Sequence, residues 1–170
     1  MSLDAVLDGH LDTWQGLSGA ETLESLNEAL KPLKHVHEPA ERVRTYQRFM
    51  VTVFERVVAP YIVEAWLTYG SSQVALIEYD DPPIYDLEGT LQRYGPPELI
   101  LSDKRYTSGA FVREYVYARR GIVLSIAEPF ASAAATERRA IHMQLFPSAS
   151  VEFYITDIGT GPDMHPYSPQ

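Results

Sequence analysis

Three groups of side chains in this chain have types and spacings that suit chemistry. His35, His37 and Glu41 in "HVHEPAE" set two imidazoles and a carboxylate at H-x-H-x3-E spacing, a donor set fit for iron, manganese or zinc. They fall in a linker between expected helices with no second half-motif, so a solvated helix entry is the preferred reading and no metal is assigned. Asp80 and Asp81 in "EYDDPP" are adjacent carboxylates whose mutual repulsion would push their pKa values apart, as acid-base work or cation binding requires. A strand end turning at Pro82 explains them more simply. His142 in "AIHMQL" could serve as a general base on a strand, against the plainer reading of a sheet histidine with an ordinary hydrogen bond. The chain has no serine-centred elbow, glycine-rich phosphate loop or HExxH helix, so no catalytic residue and no cofactor is assigned.

The aromatic residues carry more information. Eleven tyrosines in 170 residues is a high count. In "FVREYVYARRGIVLSIAEP", Phe111, Arg113, Tyr115 and Tyr117 share one face of a strand by alternation. Trp66, with Glu64 and Thr68, does the same in an earlier hairpin. Tyr, Trp and Arg combine large contact area with few rotatable bonds and polar tips, and they carry much of the binding energy at protein interfaces. Trp66, Phe111, Arg113, Tyr115 and Tyr117 are therefore the candidate protein-binding residues. The alternation does not say which face an antiparallel sheet buries, so the same set also fits a core under helices.

These residues sit in a chain with 23 acidic and 14 basic side chains and a net charge of −9, which opposes approach to nucleic-acid phosphates and anionic lipid. Local arginine groups at 42, 44 and 48, at 119 and 120, and at 138 and 139 read as solvated faces or turns. The absence of cysteine excludes disulfides and thiolate nucleophiles and is compatible with the cytoplasm. "MSLDAVLDGHLDTW" lacks a basic n-region, so it does not read as a signal peptide; an extracytoplasmic location would follow only if a leader had been cut away. No apolar run is long enough for a membrane span. The expected partner is another protein.

Leu3, Val6, Leu7, Leu11 and Trp14 fall on one helical face, and "SGAE" at 18–21 has capping-box spacing before Leu23, Leu26 and Leu30. Residues 40–58 are ambiguous. Val43, Tyr46, Met50, Phe54 and Val57 recur at three or four, which favours helix, while Val51, Thr52, Val53, Val57 and Val58 favour strand. Helix is the expectation because alternation at two is missing. "YIVEAWLTYGSSQVALIEYDDPP" reads as a hairpin about Gly70-Ser71-Ser72. Asp86 can cap a helix over 87–94, closed by Gly95, Pro96 and Pro97. A second hairpin turns at Arg119 to Gly121, "RRAIHMQLFP" gives a further strand, and "SASVEFYITDIG" a last short helix.

The two halves can be laid together. "TLESLNEALKP" at 22–32 matches "DLEGTLQRYGP" at 86–96 without gaps, pairing Leu23 with Leu87 and Pro32 with Pro96, an offset of 64. "VEAWLTYGSSQVALIEYDD" parallels "REYVYARRGIVLSIAEP" with Glu64 on Glu114, an offset of 50. The difference of fourteen residues is assigned to the 40–58 segment. A helix stopped by "YGPP" and followed by aromatic strands and a glycine turn resembles the repeat of the β-lactamase inhibitor protein-like fold, which the small lipoprotein of outer-membrane assembly machinery shares. Residues 86–146 carry the likeness; "WQGLSGAETLESL" and the first hairpin carry it more faintly. The resemblance implies a bacterial protein of tandem helix-plus-sheet units whose sheet faces bind other proteins. This chain departs from it in lacking the inhibitors' disulfides and the lipoproteins' lipidated cysteine.

The expected fold is α+β, an antiparallel sheet with helices on one face, in two tandem helix-hairpin units. Residues 1–83 form the first, with the extra helical segment, 84–158 the second and 159–170 a flexible tail; one continuous domain is the other division. The expected function is a non-enzymatic protein-binding module of inhibitor, immunity or assembly-factor type. The alternative is a cone-shaped fold of nuclear-transport-factor type with a small apolar ligand or simple acid-base chemistry at Asp80, Asp81 or His142.

Overall fold

The computed structural model describes residues 34–44, 47–55, 62–82, 84, 86–107, 110–129, 138–147, 149–158 and 164–166, with Thr22 and Glu24. Among these, nine strands run in chain order: β1 (Lys34–Arg44), β2 (Gln47–Glu55), β3 (Ile62–Thr68), β4 (Val74–Asp80), β5 (Leu99–Thr107), β6 (Ala110–Tyr117), β7 (Ile122–Pro129), β8 (Arg139–Leu145) and β9 (Met164–Pro166). Helix α1 (Leu87–Tyr94) falls between β4 and β5, and α2 (Val151–Phe153) runs into a π-helical turn at Tyr154–Ile158. The strands form one sheet in the order β1-β2-β3-β4-β8-β7-β6-β5-β9. Every neighbouring pair is antiparallel. Two four-strand meanders thus join through their last strands, β4 and β8.

Local chemistry builds the turns and α1 as the residues suggest. The Asp86 carboxylate accepts from the Gly89 N–H at 2.9 Å and caps α1. A Cβ at Gly89 would collide with that carboxylate, so the cap depends on glycine there. Gly70 and Gly121 turn the two hairpins with φ of 74° and 68°, conformations that cost other residues energy.

Among the described residues, each face of the sheet carries a buried cluster. On the first, Ile77, Tyr79, Leu124, Met143 and Leu145 form a cluster closed by Leu87 and Tyr94 of α1. On the second, Phe49, Trp66, Leu76, Leu101, Val116 and Val123 pack with Tyr154 and Ile158. The described helical segments are therefore divided between the faces, and the expectation of helices on one face is corrected.

Two further expectations change. Residues 40–58 are not helical where described; they supply the end of β1 and all of β2. Pairing of β2 between β1 and β3 satisfies the backbone of a Val/Thr-rich segment, and this tertiary gain overrides the three-four period. Pro39 is accommodated because β1 is an edge strand with a register shift between His37 and Ala40. In the tail, Met164–Pro166 pairs with β5 rather than staying loose. The expected helices over 3–14 and 18–31 lie outside the described residues, save that Glu24 is helical and Thr22 bridges to Gln73.

Candidate functional site

An apolar groove of about 530 Å3 lies on the second face, between the α2 segment and the β2–β4 strands. Its lining includes Phe49, Val74, Ala75, Phe153 and Ile158, with Thr68, Gln73, Ser150 and Asp157 as polar members. The Ser150 hydroxyl accepts from the Phe153 N–H at 3.1 Å and starts the helical turn that carries one wall. Phe153 remains 44% exposed although it is a large apolar residue, and Tyr69, beside Thr68, is 55% exposed. Phe49 is buried and meets the Trp66 ring edge-on at 5.8 Å, so Trp66 supports the groove from beneath.

A buried polar chain anchors the same wall to the sheet. The Gln144 amide donates to Glu78 Oε1 at 2.7 Å. The Tyr154 hydroxyl lies 3.0 Å from Gln144 Oε1 and 3.2 Å from Glu114 Oε2. Tyr154 also stacks on Phe146 with ring centroids 5.5 Å apart. Buried polar groups stay in a core only when partnered, and here the partners come from β4, β8, β6 and the π-helical turn.

Beside this chain, Glu64, Glu78, Asp80 and His142 line a polar recess of about 110 Å3 where β3, β4 and β8 meet. Pairing sets Glu64 opposite Glu78 and Asp80 opposite His142. His142 Nε2 stands 3.7 Å from Glu78 Oε1 and 4.0 Å from Asp80 Oδ1, ion pairs only when the imidazole is protonated. Asp80 and His142, separate candidates in the sequence, are thus brought together. Asp81 turns away at φ 47° with its N–H on the Ile141 carbonyl. Among the described residues no group of three or more such side chains is arranged to hold a metal ion. His35 and His37 lie on edge strand β1 with a register shift between them, their side chains outside the description; Glu41 is exposed.

The predicted aromatic set divides. Phe111, Arg113, Tyr115 and Tyr117 do share a face of β6, the first face, toward α1. Tyr117 is 3% exposed and donates to the Gly95 carbonyl at 3.2 Å, with its ring against Tyr94. Burial pushes its phenol up to about 12. Trp66 is 7% exposed and belongs to the opposite face. Both are core residues, Tyr117 packed in the cluster that includes Leu87 and Tyr94 of α1 and Trp66 in the one that includes Tyr154 and Ile158. Tyr115 and Arg113 are half-buried and turned inward on Glu128. Tyr115 donates to Glu128 Oε1 at 2.6 Å, and Arg113 pairs with Oε2 at 2.5 Å. Arg138 completes the cluster, donating to Tyr115 at 3.0 Å, to Glu128 at 3.2 Å and to Glu88 of α1 at 2.6 Å. Burial, then the hydrogen bond to Glu128 and its charge, hold the Tyr115 phenol above its ordinary range. The cluster fastens α1 to the sheet.

Sequence reasoning missed Phe49, Phe153 and the other groove residues, and also Glu78. No family model, curated protein or solved structure matches the chain. Among the described residues no helix is long and apolar enough to cross a membrane.

Proposed function

We propose that this chain is a non-enzymatic protein-binding module of inhibitor, immunity or assembly-factor type, and that its binding surface is the groove walled by Phe153. The observation that carries this reading is a large, mostly apolar concavity with an exposed aromatic on its rim, a combination typical of interaction sites. Trp66 contributes by supporting Phe49.

The finer architectural reading is a tandem one. Strand starts in the second meander follow those in the first at nearly constant distance: Lys34 to Leu99 is 65 residues, Gln47 to Ala110 is 63, Ile62 to Ile122 is 60 and Val74 to Arg139 is 65. Thr22, Asp86 and Ser150 stand 64 apart, each followed by an aliphatic residue and then Glu24, Glu88 or Glu152. This spacing supports units of helix plus four strands, with no extra segment in the first, and agrees in kind with the resemblance to the β-lactamase inhibitor protein-like repeat.

Affinity capture with wild type and Phe153→Ser tests the function. A protein retained by wild type and lost by a folded variant supports it; retention unchanged by the substitution, or no specific protein at all, refutes it. A second reading, small-ligand binding or acid-base chemistry, is favoured by the convergence of Glu64, Glu78, Asp80 and His142 in one recess. A small-molecule thermal-shift screen in which every hit is retained by His142→Asn would remove it.

A further inference from the structure

Resting on the binding-module reading, we infer that the groove receives the apolar face of a basic amphipathic segment of another protein. The floor and walls supply apolar surface in Phe49, Val74, Ala75, Phe153 and Ile158. The one charged residue in the described lining is Asp157, which accepts from the Thr156 hydroxyl at 2.6 Å, and Glu152 is exposed on the same helical segment. The adjoining turn at Ala118–Arg120, whose Ala118 carbonyl accepts from the Ala149 N–H, carries two arginines, but both are directed elsewhere. Arg119 lies 3.9 Å from Glu98, and Arg120 sits over the Tyr94 ring at 5.3 Å. The groove therefore presents apolar surface beside a wall that carries the Asp157 and Glu152 carboxylates, in a chain whose net charge is −9. Such a field draws a cation-flanked apolar segment in and repels an acidic one, which supplies specificity and association rate beyond what apolar burial gives.

The test is fluorescence anisotropy with three labelled 14-residue probes: a Leu/Lys peptide of helical period, its Leu/Glu counterpart, and a Gly/Ser/Lys peptide with the charge of the first and no leucine. The expected order is Leu/Lys tightest, with the other two weaker by roughly tenfold or more. Phe153→Ser, at an exposed position, lowers Leu/Lys affinity about tenfold. Thr68→Arg, on the opposite wall, weakens Leu/Lys and strengthens Leu/Glu. Equal binding of Leu/Lys and Leu/Glu, or Leu/Lys binding indifferent to both substitutions, overturns the inference. So does concentration-dependent dimerisation of the protein that Phe153→Ser abolishes, since the occupant would then be a second copy. If lysate capture depends on Phe153 but the captured protein's contacting segment is acidic, this inference fails while the module reading stands. If capture finds nothing, the module reading itself fails.

Discussion

Removing the Tyr154 hydroxyl separates packing from hydrogen bonding at the point where the groove wall meets the sheet. Tyr154→Phe keeps the stacking on Phe146 and leaves the volume of the second-face cluster nearly unchanged. It takes away the hydroxyl that donates to Gln144 Oε1 at 3.0 Å and to Glu114 Oε2 at 3.2 Å. Gln144 is 1% exposed, so its carbonyl gains no solvent in exchange. Depriving a buried acceptor of its donor costs about 1–3 kcal/mol, and the taut chain through Glu78 argues for about 2 kcal/mol. For a chain of this length that corresponds to a fall in melting temperature of about 4–8 °C. Urea denaturation followed by far-ultraviolet circular dichroism measures it, with an unchanged m value showing that two-state behaviour is kept. A Gln144→Leu variant and the Tyr154→Phe/Gln144→Leu pair close a double-mutant cycle, in which a coupling of at least about 0.5 kcal/mol is expected. A melting temperature within about 1 °C of wild type for Tyr154→Phe, or strict additivity in the cycle, would refute the reasoning.

Arg138→Ala removes the link from Glu88 to Tyr115 and Glu128; a loss of about 1–2 kcal/mol and faster amide exchange in α1 are expected, and exchange unchanged in α1 would show that the link does not fasten it. Gly89→Ala should destabilise by about 1 kcal/mol despite alanine's higher helix propensity, because its Cβ displaces the Asp86 cap; a stabilised variant in thermal melts would contradict this. Alkaline stability follows from the buried phenols. The folded pKa of Tyr117 is raised from 10.0 to about 12, so its stabilising contribution is complete below pH 10 and is lost as pH climbs through 12; burial raises Tyr79 further, and its loss begins above pH 10 and continues to higher pH. The urea midpoint should fall between pH 10 and pH 12, less steeply in Tyr117→Phe; a slope identical to wild type counts against it.

The elements legible in the sequence are those whose cause is local. Asp86, Gly95, Gly70 and Gly121 each decide a backbone conformation within a few residues of themselves, and α1 and both hairpins appear where those residues put them. Residues 40–58 were not legible because β2 is held by neighbours on both sides, and the pairing of Val51 with Trp66 or Thr52 with Ala65 leaves no trace in a window of β2 alone. Alternation correctly grouped Phe111, Arg113, Tyr115 and Tyr117, yet it could not tell a covered face from a bare one. Here residues of α1 join the cluster on one side and residues of the π-helical turn the cluster on the other, and both Tyr117 and Trp66 are buried in them. The recess of Glu64, Glu78, Asp80 and His142 is invisible for a different reason. Its members come from three strands, and β8 pairs with β4 although β5, β6 and β7 intervene in sequence.

That long-range pairing has polar residues at its seam. The two meanders meet over four residue pairs, from Ile77 with Leu145 to Asp80 with His142. On the first face the contact is Ile77 and Tyr79 against Leu145 and Met143, apolar surface that attracts without fixing position. On the second face Glu78 meets Gln144, a directional contact with one register that satisfies it. A slip of one residue would carry Gln144 and His142 into the apolar face and Met143 toward Glu78, so the cost of misalignment falls on every pair at once. Because Gln144 also binds Tyr154, the same contact that sets the seam sets the turn that follows Phe153. The groove wall is thereby tied to the junction of the two meanders, and substitutions at Gln144 or Tyr154 should alter occupancy of the groove without touching its lining.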